Sequence, residues 1–291
     1  MSTRRIILSQ LEMLRELSEV MSAMKNISLM ESHRLGRFIS TQRRVLKSAE
    51  AIAEDFLSHY PQGLSPSPEM PPVYLLIGSE RGFCGDFNVT LLRSLDEDLK
   101  SSGAPEPVLV PMGRKICAKL ESDPRLGARI EGPSVADEVQ GALSRLVETL
   151  SGLRVGGEPF SPLSLVVLYH EAGDHGSAVR VRRPLQGLGQ KPASFSHPPD
   201  LTMPPEIFFG EWVHHYLFAA LHAFLYSSLM AEHQRRLQHL EGAVHRLDRQ
   251  RDELTRRDHA LRQEEITEEI ELILLNAEES PDAADKNSSI R

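Results

Sequence analysis

Proline is missing from two long stretches near the ends of this chain, and that absence constrains its fold more than any other feature. Residues 3–58 contain no proline and one glycine, Gly36; residues 206–280 contain no proline, and Gly210 and Gly242 are their only glycines. Proline breaks the helical hydrogen-bond ladder and glycine weakens it, so each stretch reads as one long helix, the second with room for a break near its start. In the first, Ile7, Leu14, Leu17, Met21 and Met24 form an apolar stripe that continues through Ile27, Leu35, Phe38, Val45, Ile52 and Phe56. In the second, Leu237, Leu240, Val244, Leu247, Leu254 and Leu261 keep a three-four alternation, with Arg251 and Asp258 in its two polar slots. A sustained heptad predicts a coiled coil. About 70 helical residues would reach roughly 100 Å, longer than a compact domain of this size.

Between these stretches the pattern changes. Prolines 61, 66, 68, 71 and 72 end the first helix. Val73–Ile77 is a continuous apolar run, read as a buried strand. A Gly-rich loop from Gly78 to Asn88 follows, then a helix to about Lys100. Val108–Val110 reads as a second strand, Arg114–Glu121 as a helix, and Ser134–Leu153 as another helix with Ser134 as its N-cap. Leu163–Tyr169 is the strongest strand, and residues 178–183 alternate like an edge strand. Strands alternating with helices predict a largely parallel sheet. The fold class is therefore α/β: a long antiparallel two-helix coiled coil formed by the N- and C-terminal helices, with an inserted Rossmann-like α/β domain. The expected divisions are 1–60 and 206–279 for the helices, 72–190 for the α/β domain and 280–291 for a polar tail. The chain leaves along one helix and returns along the other, and the longer second helix overhangs. Its last turns carry Ile270, Leu272, Ile273, Leu274 and Leu275 on nearly every face, which calls for enclosure by something other than a two-helix partner.

Composition narrows the function. A net charge of −8 excludes general nucleic-acid binding through a basic surface. Met1–Leu8 has two arginines but no apolar run behind them, so no signal peptide is expected, and no stretch approaches a membrane span. The two cysteines, Cys84 and Cys117, match neither a zinc pattern nor a redox pair. The loop Gly78–Asn88 follows a strand and precedes a helix, a place that suits anions, yet it carries neither nucleotide-binding glycine motif. His170, Glu171, Asp174 and His175 have zinc-binding side chains but read first as a polar surface loop. His214, His215 and His222 read as packing or surface residues. No motif assembles a catalytic constellation, and no cofactor or metal is expected.

Three segments carry a family resemblance. Ala23-Met24-Lys25-Asn26-Ile27-Ser28 resembles the Ala-Met-Lys-Met-Val-Ala stretch of the gamma subunit of F-type ATP synthases. Ser79-Glu80-Arg81-Gly82-Phe83-Cys84-Gly85-Asp86-Phe87-Asn88 resembles that family's Asp-Arg-Gly-Leu-Cys-Gly-Gly-Leu-Asn loop. Leu261 to Ile270 resembles its Arg-Gln-Ala-x-Ile-Thr-x-Glu-Leu/Ile ending. Tyr216–Leu221 and Met112–Lys115 are weaker matches. Asp86 replaces the loop's second glycine, and Glu31 stands where the family is usually basic.

The resemblance implies a central rotor shaft with no active site of its own. Its coiled coil would turn inside a ring of alpha and beta subunits, and its α/β domain would rest on the epsilon subunit and the membrane ring of c subunits. It implies that Met24, Lys25, Arg262, Gln263 and Thr267 face beta subunits, and that Ile270, Ile273 and Leu274 sit in an apolar sleeve. Arg81, Gly82, Cys84, Gly85 and Asn88 would form a structural loop. The expected location is peripheral, at the cytoplasmic face of a bacterial plasma membrane. The competing readings are a gamma-like scaffold without a rotor role and a small α/β enzyme with helical arms.

Overall fold

The computed structural model describes residues 3–60, 70–103, 106–173, 176–188 and 197–278. The expected tail 280–291, with Asp174 and His175, lies outside them. Two long helices, α1 (Thr3–His59) and α5 (Pro205–Glu278), flank an α/β domain. The second helix has no break among the described residues and runs on through Gly210 and Gly242. Backbone contacts divide the chain into two units, Met1–Met24 with Leu240–Arg291, and Lys25–His239.

In the larger unit, β1 (Val73–Ile77), β2 (Val108–Met112), β5 (Leu165–Gly173) and β6 (Gly176–Arg182) form one sheet in the order β2-β1-β5-β6. β1 runs parallel to β2 and β5, and β6 closes the edge antiparallel to β5. The period-two geometry of a strand divides the side chains between two layers. Val73, Leu75, Ile77, Val110, Val167 and Tyr169 pack on one face against α4 (Val139–Gly152), α1 and α5. Tyr74, Leu76, Leu109, Val166 and Leu168 pack on the other against α2 (Phe87–Ser102) and α3 (Arg114–Lys119). A sheet covered on both sides needs continuous apolar strands, which explains the unbroken run Val-Tyr-Leu-Leu-Ile. Each such Leu or Val contributes roughly 1.5–3 kcal/mol of burial.

The edge strand follows the expected alternation, with Arg180 and Arg182 outward. Charged side chains discourage pairing with another chain at an open edge. A small hairpin of β3 (Arg154–Val155) and β4 (Glu158–Pro159) was not legible, since two residues carry no periodicity. Ser134 does not cap a helix reaching Leu153. The segment starts with a 3-10 turn, Ala136–Glu138, and α4 follows from Val139. Ser134 instead donates its N–H to Glu138 at 2.6 Å, while its hydroxyl accepts from Arg81 at 3.2 Å.

The long helices pair antiparallel in this unit. Phe38 stacks on Tyr226, the Trp212 indole donates to the Ala49 carbonyl, and Phe56 packs on Phe208, so partner numbers fall as the first numbers rise. In the smaller unit, Arg4 reaches Asp258 and Glu265, each at 3.1 Å, and Ile7 and Leu240 are buried.

The stripe expected on α1 is shielded at Ile7, Leu14, Met21, Met24, Leu35 and Phe56 and needs correction at its other positions. Leu17, Ile27, Phe38, Val45 and Ile52 are exposed. The shielded positions include Ile7, Leu11, Leu14, Ser18, Met21, Lys25, Ser28, Ser32, Leu35 and Ile39, again on a three-four alternation. Two heptad stripes lie side by side on this helix. The shielded one carries Ser18, Ser28 and Ser32 among its apolar residues.

Candidate functional site

The residues expected to meet partners lie on the two helices. Met24 and Lys25 are half-buried, and Arg262, Gln263 and Thr267 are exposed on α5. The Thr267 hydroxyl donates to the Gln263 carbonyl at 2.8 Å, an ordinary bond along one helix turn. Asp258, in a polar slot of the heptad, takes the Arg4 guanidinium at 3.1 Å, beside the half-buried Leu254 and Leu261. Seam shielding on α5 ends at Glu265. From Ile266 to Asn276 every side chain is exposed, and six of them are large and apolar.

The loop Gly78–Asn88 is built around buried polar groups. Gly78 leaves β1 where a Cβ would come within 2.6 Å of Ile116, so no larger residue fits without a shift. Asn88 accepts the Ser79 N–H at 2.9 Å and donates to the Ser79 hydroxyl at 2.8 Å, closing the loop on the start of α2. Phe83 and Gly85 both have positive φ, 62° and 60°. For Gly85 this costs little, whereas for Phe83 it needs support from its surroundings.

That support comes from α5. Glu232, 3% exposed, accepts the backbone N–H groups of Glu80 and Arg81. Arg236, also 3% exposed, pairs with Glu232 and donates to the Gly82 carbonyl at 3.1 Å and to Cys84 Sγ at 3.2 Å. Burial pushes the Glu232 carboxyl up against the opposing pull of Arg236. Burial also pushes the Cys84 thiol up to about 12, so it is a packed, unreactive group. One strand along, Glu80 accepts the N–H groups of Arg114 and Gly132 and pairs with the Arg114 side chain.

Glu232, His233, Arg236 and Glu80 were not singled out from sequence. A Glu and an Arg four apart, directly after the mostly apolar run Leu225–Ala231, were the available signal. The two departures from the family pattern also have partners. The Glu31 carboxylate accepts the Ala136 N–H at 3.1 Å, and Asp86 lies 3.7 Å from Arg235.

His170 belongs to strand β5 and is buried, so neither the surface-loop reading nor the zinc reading holds for it. It is 1% exposed, stacks on Phe87 at 3.7 Å and bonds the Phe87 carbonyl through Nε2 at 2.9 Å. Among the described residues no group of three His, Cys, Asp or Glu side chains is placed to hold a metal ion. None of the described helices is long and apolar enough to cross a membrane.

An α/β domain between two long helices that pair antiparallel, fastened to one of them by buried charges, defines a class of two-helix proteins with an inserted sheet domain. A family model described as ATP synthase matches residues 3–278, and the chain belongs to that family as a gamma subunit. The family's gamma subunit is a non-catalytic component of a membrane-associated complex. No curated protein matches the chain in sequence. Among solved structures, the rotor of the Euglena gracilis mitochondrial ATP synthase in rotational state 1 is similar at 14% identity and a TM-score of 0.64, covering 91% of this chain and 99% of that one. A chain of the Euglena gracilis OSCP/F1/c-ring assembly in rotational state 3 matches at 14% identity and 0.66, covering 99% of each. One from the central stalk and c-ring of the Tetrahymena thermophila enzyme matches at 14% and 0.55, covering 77% of this chain and 99% of that one. At such identity the likeness is one of fold.

Proposed function

We propose that this chain is the rotor shaft that couples ion flow to ATP synthesis or hydrolysis at catalytic beta subunits. The observation that carries the reading is the end of α5. Its seam shielding stops at Glu265, and six large apolar side chains follow on an exposed helix. Such a surface fits an apolar sleeve formed by surrounding subunits. We assign Ile270, Ile273 and Leu274 to that sleeve. Met24, Lys25, Arg262, Gln263 and Thr267 face beta subunits, and the Arg262 guanidinium offers a fixed fork of donors for a carboxylate there. As an asymmetric shaft turns, each beta subunit meets different contacts. Differential contact energy then shifts each between open and closed states.

The remaining partners follow from the same reading: the alpha subunits of the ring, and the epsilon subunit and c-ring for the α/β domain. The chain binds no nucleic acid and meets the membrane only through partners. Its place is the cytoplasmic face of a bacterial plasma membrane. The working divisions are helices over 1–60 and 206–279 and an α/β domain over 72–190.

The test is R262A/Q263A in the assembled complex. ATP turnover should fall about ten-fold, equivalent to about 1.4 kcal/mol of lost stabilisation. Turnover equal to that of the unsubstituted complex would overturn the contact assignment. Failure of the chain to co-purify with alpha, beta and epsilon subunits would overturn the rotor reading itself.

A further inference from the structure

The sheet order β2-β1-β5-β6 places the next two parallel strands on opposite sides of β1. In open α/β sheets, ligands settle outside the carboxyl ends of the strands at such a reversal, where free backbone N–H groups favour anions. Here that place is filled from within. The Glu232 carboxylate accepts Glu80 N–H at 3.3 Å and Arg81 N–H at 3.4 Å, just past the carboxyl end of β1. Its other neighbours are the Arg236 guanidinium and, at 3.9 Å, the Cys84 thiol. Two backbone amides converging with an arginine are what a small oxyanion requires. At the end of β2 the pattern recurs, with the Glu80 carboxylate holding Arg114 N–H at 2.9 Å and Gly132 N–H at 3.0 Å.

We infer that Glu232 is an internal ligand, occupying an oxyanion cradle at the carboxyl end of β1 and thereby fastening the 78–88 loop to α5. Cutting the side chain back to Ala uncovers a site for a small oxyanion such as formate or phosphate. The fold's usual ligand position thus serves as a fastening between sheet domain and long helix. This holds whatever subunits surround the chain, so its failure and that of the rotor reading are separable.

The experiment uses the full chain carrying E232A and follows amide hydrogen exchange in peptides covering residues 78–88. Loss of the carboxylate should speed exchange there about ten-fold or more, because bonds to a charged acceptor are among the stronger ones. Formate or inorganic phosphate, against chloride at equal ionic strength, should restore protection in E232A. In E232A/R236A, which lacks the cradle's fixed cation, it should not. Unchanged exchange in E232A, no restoration beyond chloride, or equal restoration in E232A/R236A would each overturn the inference. Should E232A fail to fold in chloride, its folded yield must rise with formate; a yield indifferent to formate overturns it equally.

Discussion

His170 shows how one residue can look like chemistry in the sequence and be packing in the fold. Its Nε2 bonds the Phe87 carbonyl, its ring stacks on Phe87, and its Nδ1 has no partner among the described residues. Burial pulls its pKa down to about 4 from the usual histidine value near 6.5. His233 is lowered to about 4 as well, by burial first and then by the Arg236 charge. Unfolded, both would bind protons near pH 6.5; folded, they resist until about pH 4. The unfolded state therefore holds more protons across that window, and stability rises with pH through it. Their full contribution is present above about pH 6.5 and is lost as pH falls toward 4. A displacement of about 2.5 pH units corresponds to roughly 3 kcal/mol for each. Urea unfolding at pH 7 and pH 5 should show this loss, and H170Q should flatten the slope between the two. An acid slope in H170Q as steep as that of the original chain would remove His170 from the account.

At the scale of elements, the seam of α1 is the clearest lesson. Hydropathy favoured Leu17, Ile27, Phe38, Val45 and Ile52 as much as Ile7, Leu14, Met21 and Leu35, yet only the second set lies on the shielded line, which also takes in Ser18, Lys25, Ser28 and Ser32. Both lines have heptad spacing, so period alone could not choose between them. Ser32 is buried and its hydroxyl has no hydrogen-bond partner among the described residues. An unsatisfied buried hydroxyl costs about 1–3 kcal/mol. S32A removes that group at almost constant volume and should stabilise the chain by about 1 kcal/mol in thermal or urea unfolding. A loss of stability instead would mean that the hydroxyl is satisfied by water. The strands were easier to read, since a sheet covered on both faces leaves a contiguous apolar signature in Val73–Ile77 and in Leu165–Tyr169.

For the molecule as a whole, the end of α5 dominates behaviour in isolation. Ile270, Ile273 and Leu274 are 52%, 67% and 59% exposed. Contiguous exposed apolar surface drives association. The isolated chain should therefore self-associate with rising concentration in analytical ultracentrifugation, and I270S/I273S/L274S should remain monomeric over the same range. Equal association of the two would assign the self-contact to another surface, such as the exposed stripe on α1.

The order helix, α/β domain, long helix, and the antiparallel return of α5 along α1, could be read from residue pattern alone. Proline-free stretches, a sustained heptad and unbroken apolar runs are local patterns that backbone geometry reads directly. Residue pattern also marked the loop Gly78–Asn88 and the apolar end of α5. Which heptad positions became the seam was settled by packing. It alone brought Glu232 and Arg236 to a loop some 150 positions earlier in the chain. Those outcomes depend on which surfaces fit closely and which buried charges find donors, and neither leaves a periodic trace along the chain.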